Sequence, residues 1–169
     1  MTLSINKIYS SKDAKLIITN YKNKGEKVVF SNGCFDIIHK GHKTFLKGAK
    51  KLGDFLIIGL NSDSSVKELK GLNRPVNDQS NRAENLLKLG YVDAVTIFSE
   101  LTPEKLIHDL SPDLIVKGGD YKPDEVVGGD YVRSYGGKVV ILPFLPGYST
   151  TKIIMESKGK DLTDRDTSN

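Results

Sequence analysis

Short apolar runs alternate with amphipathic stretches along this chain, and the alternation predicts strands and helices in turn. Continuous apolar runs are typical of strands buried in a parallel sheet, and they occur at residues 28–30, 55–60, 94–98, 114–116 and 139–142. Between them, apolar side chains recur every three or four residues, which predicts helices near residues 11–24, 41–52, 82–89, 103–110 and 149–155. The polar stretch from residue 61 to residue 81 contains at most one short helix, near residues 64–69.

This order of elements predicts the fold class. Strands that alternate with helices form a parallel sheet covered on both faces, and right-handed crossovers make it an open, doubly wound sheet. We therefore expect one Rossmann-like α/β domain over residues 1–156, with five mostly parallel strands and an additional helix at 11–24. Residues 157–169 are polar and without periodicity, which is typical of a loose tail. Ligands of such sheets bind at the carboxyl ends of the strands, so the loops after strands are the place to look for functional residues.

Composition narrows the class of protein. The chain has 169 residues, 38% of them hydrophobic and 27% charged, and it has no apolar run long enough to cross a bilayer and no signal peptide. Its single cysteine, Cys34, excludes an internal disulfide framework and suits a reducing compartment, so we expect a cytoplasmic protein. Residues 1–60 contain eleven lysines and four acidic residues. Because these lysines are spread through predicted helical segments and no known nucleic-acid motif accompanies them, the excess indicates a surface that attracts small anions and not nucleic acid.

The segment after the first strand, Ser31-Asn32-Gly33-Cys34-Phe35-Asp36-Ile37-Ile38-His39-Lys40-Gly41-His42, is the most informative one. His39 and His42 are three residues apart at a predicted helix start, so they lie on the same face of its first turn. Gly41 between them lets a bulky anion approach the backbone, and the N–H groups of a helix start add positive potential. This combination predicts a site for a phosphate group during transfer.

A metal site is the alternative for this segment. Cys34 and Asp36 stand near the two histidines and would be the other ligands of a zinc ion. Zinc sites need three or four well-placed ligands, and the remaining histidine, His108, falls in a distant helix. We expect no protein-bound metal. Cys34 has no general base beside it in sequence, which favours a packing role over a nucleophilic one.

Gly33-Cys34-Phe35-Asp36 followed by His39-x-Gly41-His42 resembles the signature of the H-x-G-H nucleotidyltransferases. Further segments appear in family order, namely Asn61-Ser62-Asp63, Lys70-Gly71, Arg74-Pro75-Val76-Asn77, Arg82, Val116-Lys117-Gly118-Gly119-Asp120-Tyr121 and Gly147-x-Ser149-Thr150-Thr151. Together they resemble the D-glycero-β-D-manno-heptose 1-phosphate adenylyltransferases over about residues 26–156. Such proteins occur alone or as the C-terminal half of a bifunctional heptose kinase/adenylyltransferase, and this chain is expected to be the stand-alone form.

The resemblance implies an activity and its participants. AMP would pass from ATP, carried with Mg²⁺, to a heptose 1-phosphate, and the ADP-heptose formed would serve bacterial lipopolysaccharide or another surface glycan. A separate heptose kinase would supply the sugar 1-phosphate, and a homo-oligomer, dimer or tetramer, is expected. His39, His42 and Lys70 would be catalytic, Gly33, Cys34, Phe35 and Gly41 would lie against the nucleotide phosphates, and Asp36, Asn61 and Asp63 would face the acceptor.

The other candidate residues have both a functional and an ordinary interpretation. Arg82 is expected to clamp a phosphate, or else to form a helix-surface ion pair with Glu84 or Asp78. Lys117, Gly118 and Asp120 follow the fourth strand and would meet phosphate or sugar hydroxyls, or form a plain turn. Ser149, Thr150 and Thr151 stand at a predicted helix start. Their hydroxyls and the N–H groups there would bind an anion, or would only cap the helix. For Lys70, the alternative to a catalytic role is that of an ordinary solvated lysine on the surface.

Two other functions fit the same scaffold. A cytidylyltransferase for glycerol 3-phosphate or a related polyol phosphate shares the fold and the hydroxyl-rich segment at Ser149–Thr151. A non-catalytic nucleotide-binding regulator would need no His39, His42 or Lys70. A dinucleotide dehydrogenase is disfavoured because no G-x-G-x-x-G follows the first strand.

Overall fold

Every apolar run predicted to be a strand forms one, and together the strands make a single parallel sheet. The computed structural model of the protein describes residues 7–143. Its strands are β1 Val28–Gly33, β2 Phe55–Asn61, β3 Ala94–Phe98, β4 Leu114–Gly118 and β5 Lys138–Leu142. They stand in the order β3-β2-β1-β4-β5, and every neighbouring pair is parallel. The predicted doubly wound α/β fold is confirmed.

The helices between the strands agree with the apolar periodicity, with two exceptions. Within residues 7–143 they are α1 Ser11–Asn23, α2 Lys40–Lys50, α3 Asp63–Lys70, α4 Gln79–Leu87, α5 Glu104–Leu110 and α6 Gly129–Ser134. The sequence did not predict α6 or the single 3-10 turn at Pro123–Glu125. Both are too short to show a helical period. The helix predicted near residues 149–155 and the tail lie outside the described residues.

Two apolar layers hold helices against opposite faces of the sheet. Alternate residues of a strand point to opposite faces, and β1 places Phe30 in one layer and Val29 in the other. The first layer packs α1, α5 and α6 against the sheet through Ala14, Ile18, Leu106, Ile107, Leu110 and Val132. The second layer packs α2 and α4 through Phe45, Leu46, Ala49, Ala83 and Leu86. The sheet is therefore buried on both sides, which explains why its strands read as continuous apolar runs.

The direction of winding reverses at β1. The chain proceeds from β1 through β2 to β3 on one side, and then returns to place β4 and β5 on the other side. β1 pairs with β2 along its whole length, from Val28 opposite Phe55 to Gly33 opposite Leu60, and pairs with β4 near its beginning. The strands diverge beyond that point, and the crevice at the carboxyl ends of β1 and β4 is the place where such sheets bind nucleotides.

Candidate active site

Most of the predicted site residues lie at the carboxyl edge of the sheet. Gly33, Asn61 and Gly118 are the last residues of β1, β2 and β4. Cys34, Phe35 and Asp36 follow β1 directly, Asp63 begins α3 after β2, and Asp120 is exposed two residues after β4. The fold thus gathers segments that are far apart in sequence, with Gly33 and Gly118 separated by 85 positions. Ser149, Thr150 and Thr151 lie outside the described residues, and their role stays a prediction.

His39 and His42 cap the first turn of α2 reciprocally. The backbone N–H of His42 donates to Nδ1 of His39 at 3.3 Å, and the backbone N–H of His39 donates to Nδ1 of His42 at the same distance. The two rings stack with their centroids 3.7 Å apart, and both side chains are buried. A ring nitrogen that accepts an N–H bond carries no proton, so both imidazoles are neutral and hold their proton on Nε2. Gly41 lies between them in the same turn.

The double cap has two chemical consequences. It fixes the orientation of both rings without a separate carboxylate or carbonyl partner on Nδ1, because the backbone of the same turn serves as that partner. It also makes each Nε2 a hydrogen-bond donor of fixed direction, which is the form that stabilises charge on a phosphate oxygen. Phe35, with a ring centroid 5.3 Å from that of His42, packs beside the pair.

Asp36 holds a neighbouring loop in place. Its carboxylate is fully buried and accepts hydrogen bonds from the backbone N–H of Val76 at 2.7 Å and of Asn77 at 2.8 Å, and from Nε of Arg74 at 3.2 Å. The side-chain amide of Asn77 donates in return to the backbone oxygen of Asp36 at 2.7 Å. The expected contact of Asp36 with the acceptor stays a prediction, but every described partner of this carboxylate belongs to the loop at residues 74–77.

Arg82 is buried, and its guanidinium joins four segments. Nε donates to the backbone oxygen of Asn77, and Nη1 donates to the backbone oxygens of Cys34 and Asn61, at 2.8–2.9 Å. Nη2 forms an ion pair with Asp63 at 2.8 Å. The alternative expectation of a surface ion pair with Glu84 or Asp78 is wrong, because Arg82 is 0% exposed and turns inward from α4. A phosphate clamp stays a prediction, and the contacts described here give Arg82 a structural role.

Lys117 lies beside the crevice between β4 and β1. Its Nζ donates to the backbone oxygen of Asn32 at 3.2 Å and to the side-chain oxygen of Asn32 at 3.3 Å, and it stands 5.1 Å from the ring centre of Tyr121. The residue is 5% exposed, and no carboxylate within residues 7–143 forms an ion pair with it. Burial lowers the pKa of the Lys117 ammonium from 10.5 to about 8, and the nearby Cys34 opposes that shift. A buried cation held by neutral oxygens is suited to binding an anion.

Lys70 is the last residue of α3, one position beyond the short helix predicted near residues 64–69, and it is partly buried. The missed participants are Asn32, Arg74 and Asn77. Asn32 is a polar residue at the end of an apolar strand, which is a recognisable signal. Arg74 and Asn77 belong to a segment that the sequence resemblance includes, but nothing in their spacing shows that they contact residues forty positions earlier.

Residues 7–143 show neither a metal-binding cluster nor a membrane-spanning helix. Between residues 7 and 143, no group of three or more histidine, cysteine, aspartate or glutamate side chains is arranged to hold a metal ion. The zinc alternative therefore gains no support from the fold. In the same range no helix combines the length and the apolar character that crossing a membrane requires.

Comparison with known proteins identifies the family. The family model described as cytidylyltransferase-like matches residues 30–156, which include the β1 loop, the histidine pair and the β4 end. The chain belongs to the cytidylyltransferase-like family. It is accordingly a nucleotidyltransferase, and the capped histidine pair at the β1–α2 junction lies in the part of the chain that the family model covers.

Individual relatives of this cytidylyltransferase-like chain agree with that assignment. The bifunctional protein HldE of Vibrio vulnificus (strain YJ016) is 56% identical over 136 residues, which cover 80% of this chain and 29% of the relative. A solved lipopolysaccharide core biosynthesis protein from Thermoplasma volcanium GSS1 is 31% identical, with a TM-score of 0.59 over 72% of this chain and 98% of that one. The pantoate-beta-alanine ligase of Francisella tularensis, at 19% identity and a TM-score of 0.58, covers 95% of this chain and 80% of its own and shares the fold. The chain spans about a third of the length of the HldE relatives.

We predict that replacing Arg82 destabilises the protein strongly. Arg82→Met leaves Asp63 and three backbone oxygens without their donor, and loss of one partner in a buried charged network typically costs about 3–5 kcal/mol. Urea denaturation measures the change in the free energy of unfolding. Arg133→Met, at a more exposed arginine on α6, is the control and is expected to change it by less than about 1 kcal/mol. If Arg82→Met lowers the free energy of unfolding by less than about 1 kcal/mol, the structural role is refuted.

For the histidine pair we predict loss of turnover beyond any loss of stability. His39→Ala and His42→Ala each remove a preorganised donor, which typically lowers kcat by roughly 10²–10³. Each also removes half of the reciprocal cap, at a cost of about 0.5–2 kcal/mol. His39→Asn separates the two effects, because asparagine is a good N-cap but carries no Nε2. Kinetics and thermal melting of the same variants should show His39→Asn folded and slow, and a near-normal kcat in His39→Asn would contradict the catalytic role.

A third prediction concerns Lys117 and pH. Because its pKa is about 8 in the folded protein and near 10.5 when unfolded, the unfolded chain binds more protons between these values. The contribution of Lys117 to the free energy of unfolding therefore rises as pH increases from 8 to 10.5. Lys117→Met is expected to be more stable than the wild type at pH 7, by up to about 3 kcal/mol, and to lose this advantage by pH 10. Urea denaturation at both pH values tests this, with Lys122→Met as an exposed control, and a pH-independent difference would contradict it.

Proposed function

We propose that this nucleotidyltransferase transfers AMP from ATP to the phosphate of a heptose 1-phosphate, giving ADP-heptose and pyrophosphate. The reciprocally capped pair His39 and His42, beside the strand ends where such sheets bind nucleotides, is the observation that carries the proposal. The heptose acceptor is supported by the resemblance of the segments between Asn61 and Asp120 to heptose 1-phosphate adenylyltransferases. The 56% identity with HldE and the relative from lipopolysaccharide core biosynthesis support the same acceptor.

The proposed reaction is a single in-line displacement at the α-phosphorus. An oxygen of the acceptor phosphate forms the new bond to phosphorus, and the bond from phosphorus to the oxygen that bridges to the β-phosphate breaks. The electron pair of that bond leaves with pyrophosphate. The attacking phosphate is already an anion, so no side chain has to remove a proton. The protein therefore acts by positioning the two substrates and by stabilising charge.

His39 and His42 supply the stabilising donors in this scheme. Their neutral rings present Nε2–H groups whose direction the backbone of the same turn determines. The charge on the non-bridging oxygens is redistributed when the α-phosphorus becomes five-coordinate, so fixed donors interact better with the transition state than with bound ATP. A donor that is already oriented needs no reorganisation at the moment of reaction, which is the reason for holding both rings through Nδ1.

Cations and N–H groups around this pair hold the remaining phosphates. In this scheme Lys117, at the β1–β4 crevice, would meet the nucleotide, and the family resemblance assigns the ammonium of Lys70 to the triphosphate. Ser149–Thr151 would add hydroxyls and N–H groups of a helix start. The carboxylates Asp36 and Asp63 are occupied by Arg74, Arg82 and backbone donors, so a dedicated cage for Mg²⁺ is not formed from them. Mg²⁺ would enter as the MgATP complex, bound mainly by phosphate oxygens and water, and would neutralise charge there.

A cytidylyltransferase acting on a polyol phosphate is the second candidate, because the matching family model is described as cytidylyltransferase-like. We predict that ATP with a heptose 1-phosphate gives at least tenfold higher kcat/KM than CTP with glycerol 3-phosphate. Tenfold corresponds to about 1.4 kcal/mol of transition-state free energy, enough to assign a preference. The measurement is pyrophosphate release with each pair of nucleotide and acceptor.

Two controls make this comparison decisive. His42→Ala protein, purified in the same way, reveals pyrophosphate released by contaminants. Each nucleotide without acceptor measures hydrolysis alone. If CTP with the polyol phosphate is the better pair by tenfold, the heptose assignment is wrong and the nucleotidyltransferase class remains. If no pair releases pyrophosphate above the His42→Ala background, a nucleotide-binding regulator becomes the better description.

A further inference from the structure

Arg74 is held rigidly at the edge of the candidate active site. It lies in the loop between α3 and α4, and its Nε donates to Oδ2 of Asp36 at 3.2 Å. Asp36 is fully buried, and the Arg74 side chain is only 12% exposed. The same carboxylate binds the backbone of Val76 and Asn77, so the loop that carries Arg74 is attached to Asp36 at the ion pair and again two and three residues later. The guanidinium therefore has one preferred position, set by the loop that follows β1.

One terminal nitrogen of this guanidinium has no partner among the described residues. Nη2 of Arg74 is shielded from solvent and has no hydrogen-bond acceptor within residues 7–143. Leaving a buried donor unsatisfied costs about 1–3 kcal/mol, and more for a charged group, so such atoms are rare in folded proteins. Arg82 provides the contrast, because both of its terminal nitrogens reach protein oxygens at 2.8 Å. All three donor nitrogens of Arg82 bind protein oxygens, whereas among residues 7–143 Arg74 has an acceptor for Nε and none for Nη2.

The position of Arg74 indicates which part of a bound substrate its Nη2 would contact. Its partner Asp36 stands three residues before His39, so the guanidinium contacts the segment that leads into the β1–α2 junction. The loop at residues 74–77 is also joined, through Arg82, to the end of β2 at Asn61 and to Asp63. Arg74 thus lies on the β2 side of β1, while Lys117 lies on the β4 side.

Two cations on opposite sides of β1 suit an in-line reaction. In-line displacement places the attacking and leaving oxygens on opposite sides of the phosphorus atom. With the nucleotide in the crevice between β1 and β4, the attacking phosphate would approach from the β2 side, where Arg74 stands. A guanidinium is the side chain best matched to two oxygens of a phosphate, since it offers parallel N–H donors in a fixed plane.

We propose that Arg74 binds the phosphate of the acceptor substrate, and that Asp36 is the positioning residue that aims its guanidinium. This inference rests on the proposed nucleotidyl transfer and deepens it, because it assigns the residue that recognises the phosphorylated end of the acceptor. Nη2 donates to an acceptor phosphate oxygen, and Nε stays on Asp36. The contact orders the attacking oxygen toward the α-phosphorus that His39 and His42 face.

The first test compares Michaelis constants in Arg74→Ala and Arg74→Lys. Losing a charged hydrogen bond to a phosphate is expected to raise KM for the acceptor roughly 10- to 100-fold in both variants, while KM for ATP changes less than about twofold. Arg74→Lys keeps a positive charge near Asp36 but not the planar pair of donors, so it guards against simple loss of folding. Arg133→Ala is the matched control and should leave both constants unchanged. Equal rises in both constants, no rise in the acceptor KM, or a loss of rate explained by a lower melting temperature would each overturn the proposal.

The second test does not depend on turnover and separates this proposal from the acceptor assignment. Thermal melting is measured for the wild type and Arg74→Lys with a non-hydrolysable ATP analogue, with and without inorganic phosphate as the probe. Stabilisation by phosphate in the wild type and its loss in Arg74→Lys, with the effect of the ATP analogue retained, would support the proposal. Equal stabilisation of both proteins, or of neither, would overturn it. If glycerol 3-phosphate proves to be the true acceptor, the heptose assignment fails, and the KM for glycerol 3-phosphate then tests Arg74 in the same way.

Discussion

The active-site edge of this protein depends on the buried guanidinium of Arg82. A charged group without solvent is tolerated only when its donors find acceptors, and Arg82 finds them on segments that follow β1 and β2 and on the loop that leads into α4. The cost of moving any of these segments away is high, because it would leave either the guanidinium or a buried oxygen unsatisfied. The Arg82 side chain thereby links the ends of β1 and β2 to each other and to the loop at residues 74–77. Asp36 binds the same loop, so the loop is also attached to the segment that leads into the histidine turn.

Rigidity of this kind suits a reaction in which no protein group is covalently changed. Nucleotidyl transfer requires donors and cations that already point to the right places, since any reorganisation during the reaction adds to the barrier. The structure satisfies this requirement with backbone partners. His39 and His42 are oriented by the N–H groups of their own turn, Asp36 by the loop backbone that it binds, and Lys117 by the carbonyl of Asn32. Each of these side chains is thus held in one orientation by backbone atoms of the protein.

Two residues that the sequence assigns to the substrates also hold segments of the site together. Asp36 and Arg82 are polar residues in the segments where ligands are expected, the one for the acceptor and the other for a phosphate. Their described contacts are to protein, and both bind the loop at residues 74–77. Arg74, which received no role from the sequence, has a buried donor, Nη2, without an acceptor within residues 7–143. Residue type alone does not separate these cases, because an arginine binds a carboxylate or carbonyl oxygen as readily as a phosphate.

The sequence by itself determined the strand order in the chain, the parallel doubly wound class and the position of the histidine pair. Those features follow from local patterns: continuous apolar runs, amphipathic periods, and two histidines three residues apart at a helix start. It also carried the resemblance that led to the family. Only the tertiary structure decided which charged residues are buried and what they bind. The partners Asp36 and Arg74, Arg82 and Asp63, and Lys117 and Asn32 are separated by 19 to 85 positions, and no periodic pattern records a contact across that distance. Such pairs form because a buried charge is unfavourable without a partner, and which charges are buried depends on the assembled sheet and its loops.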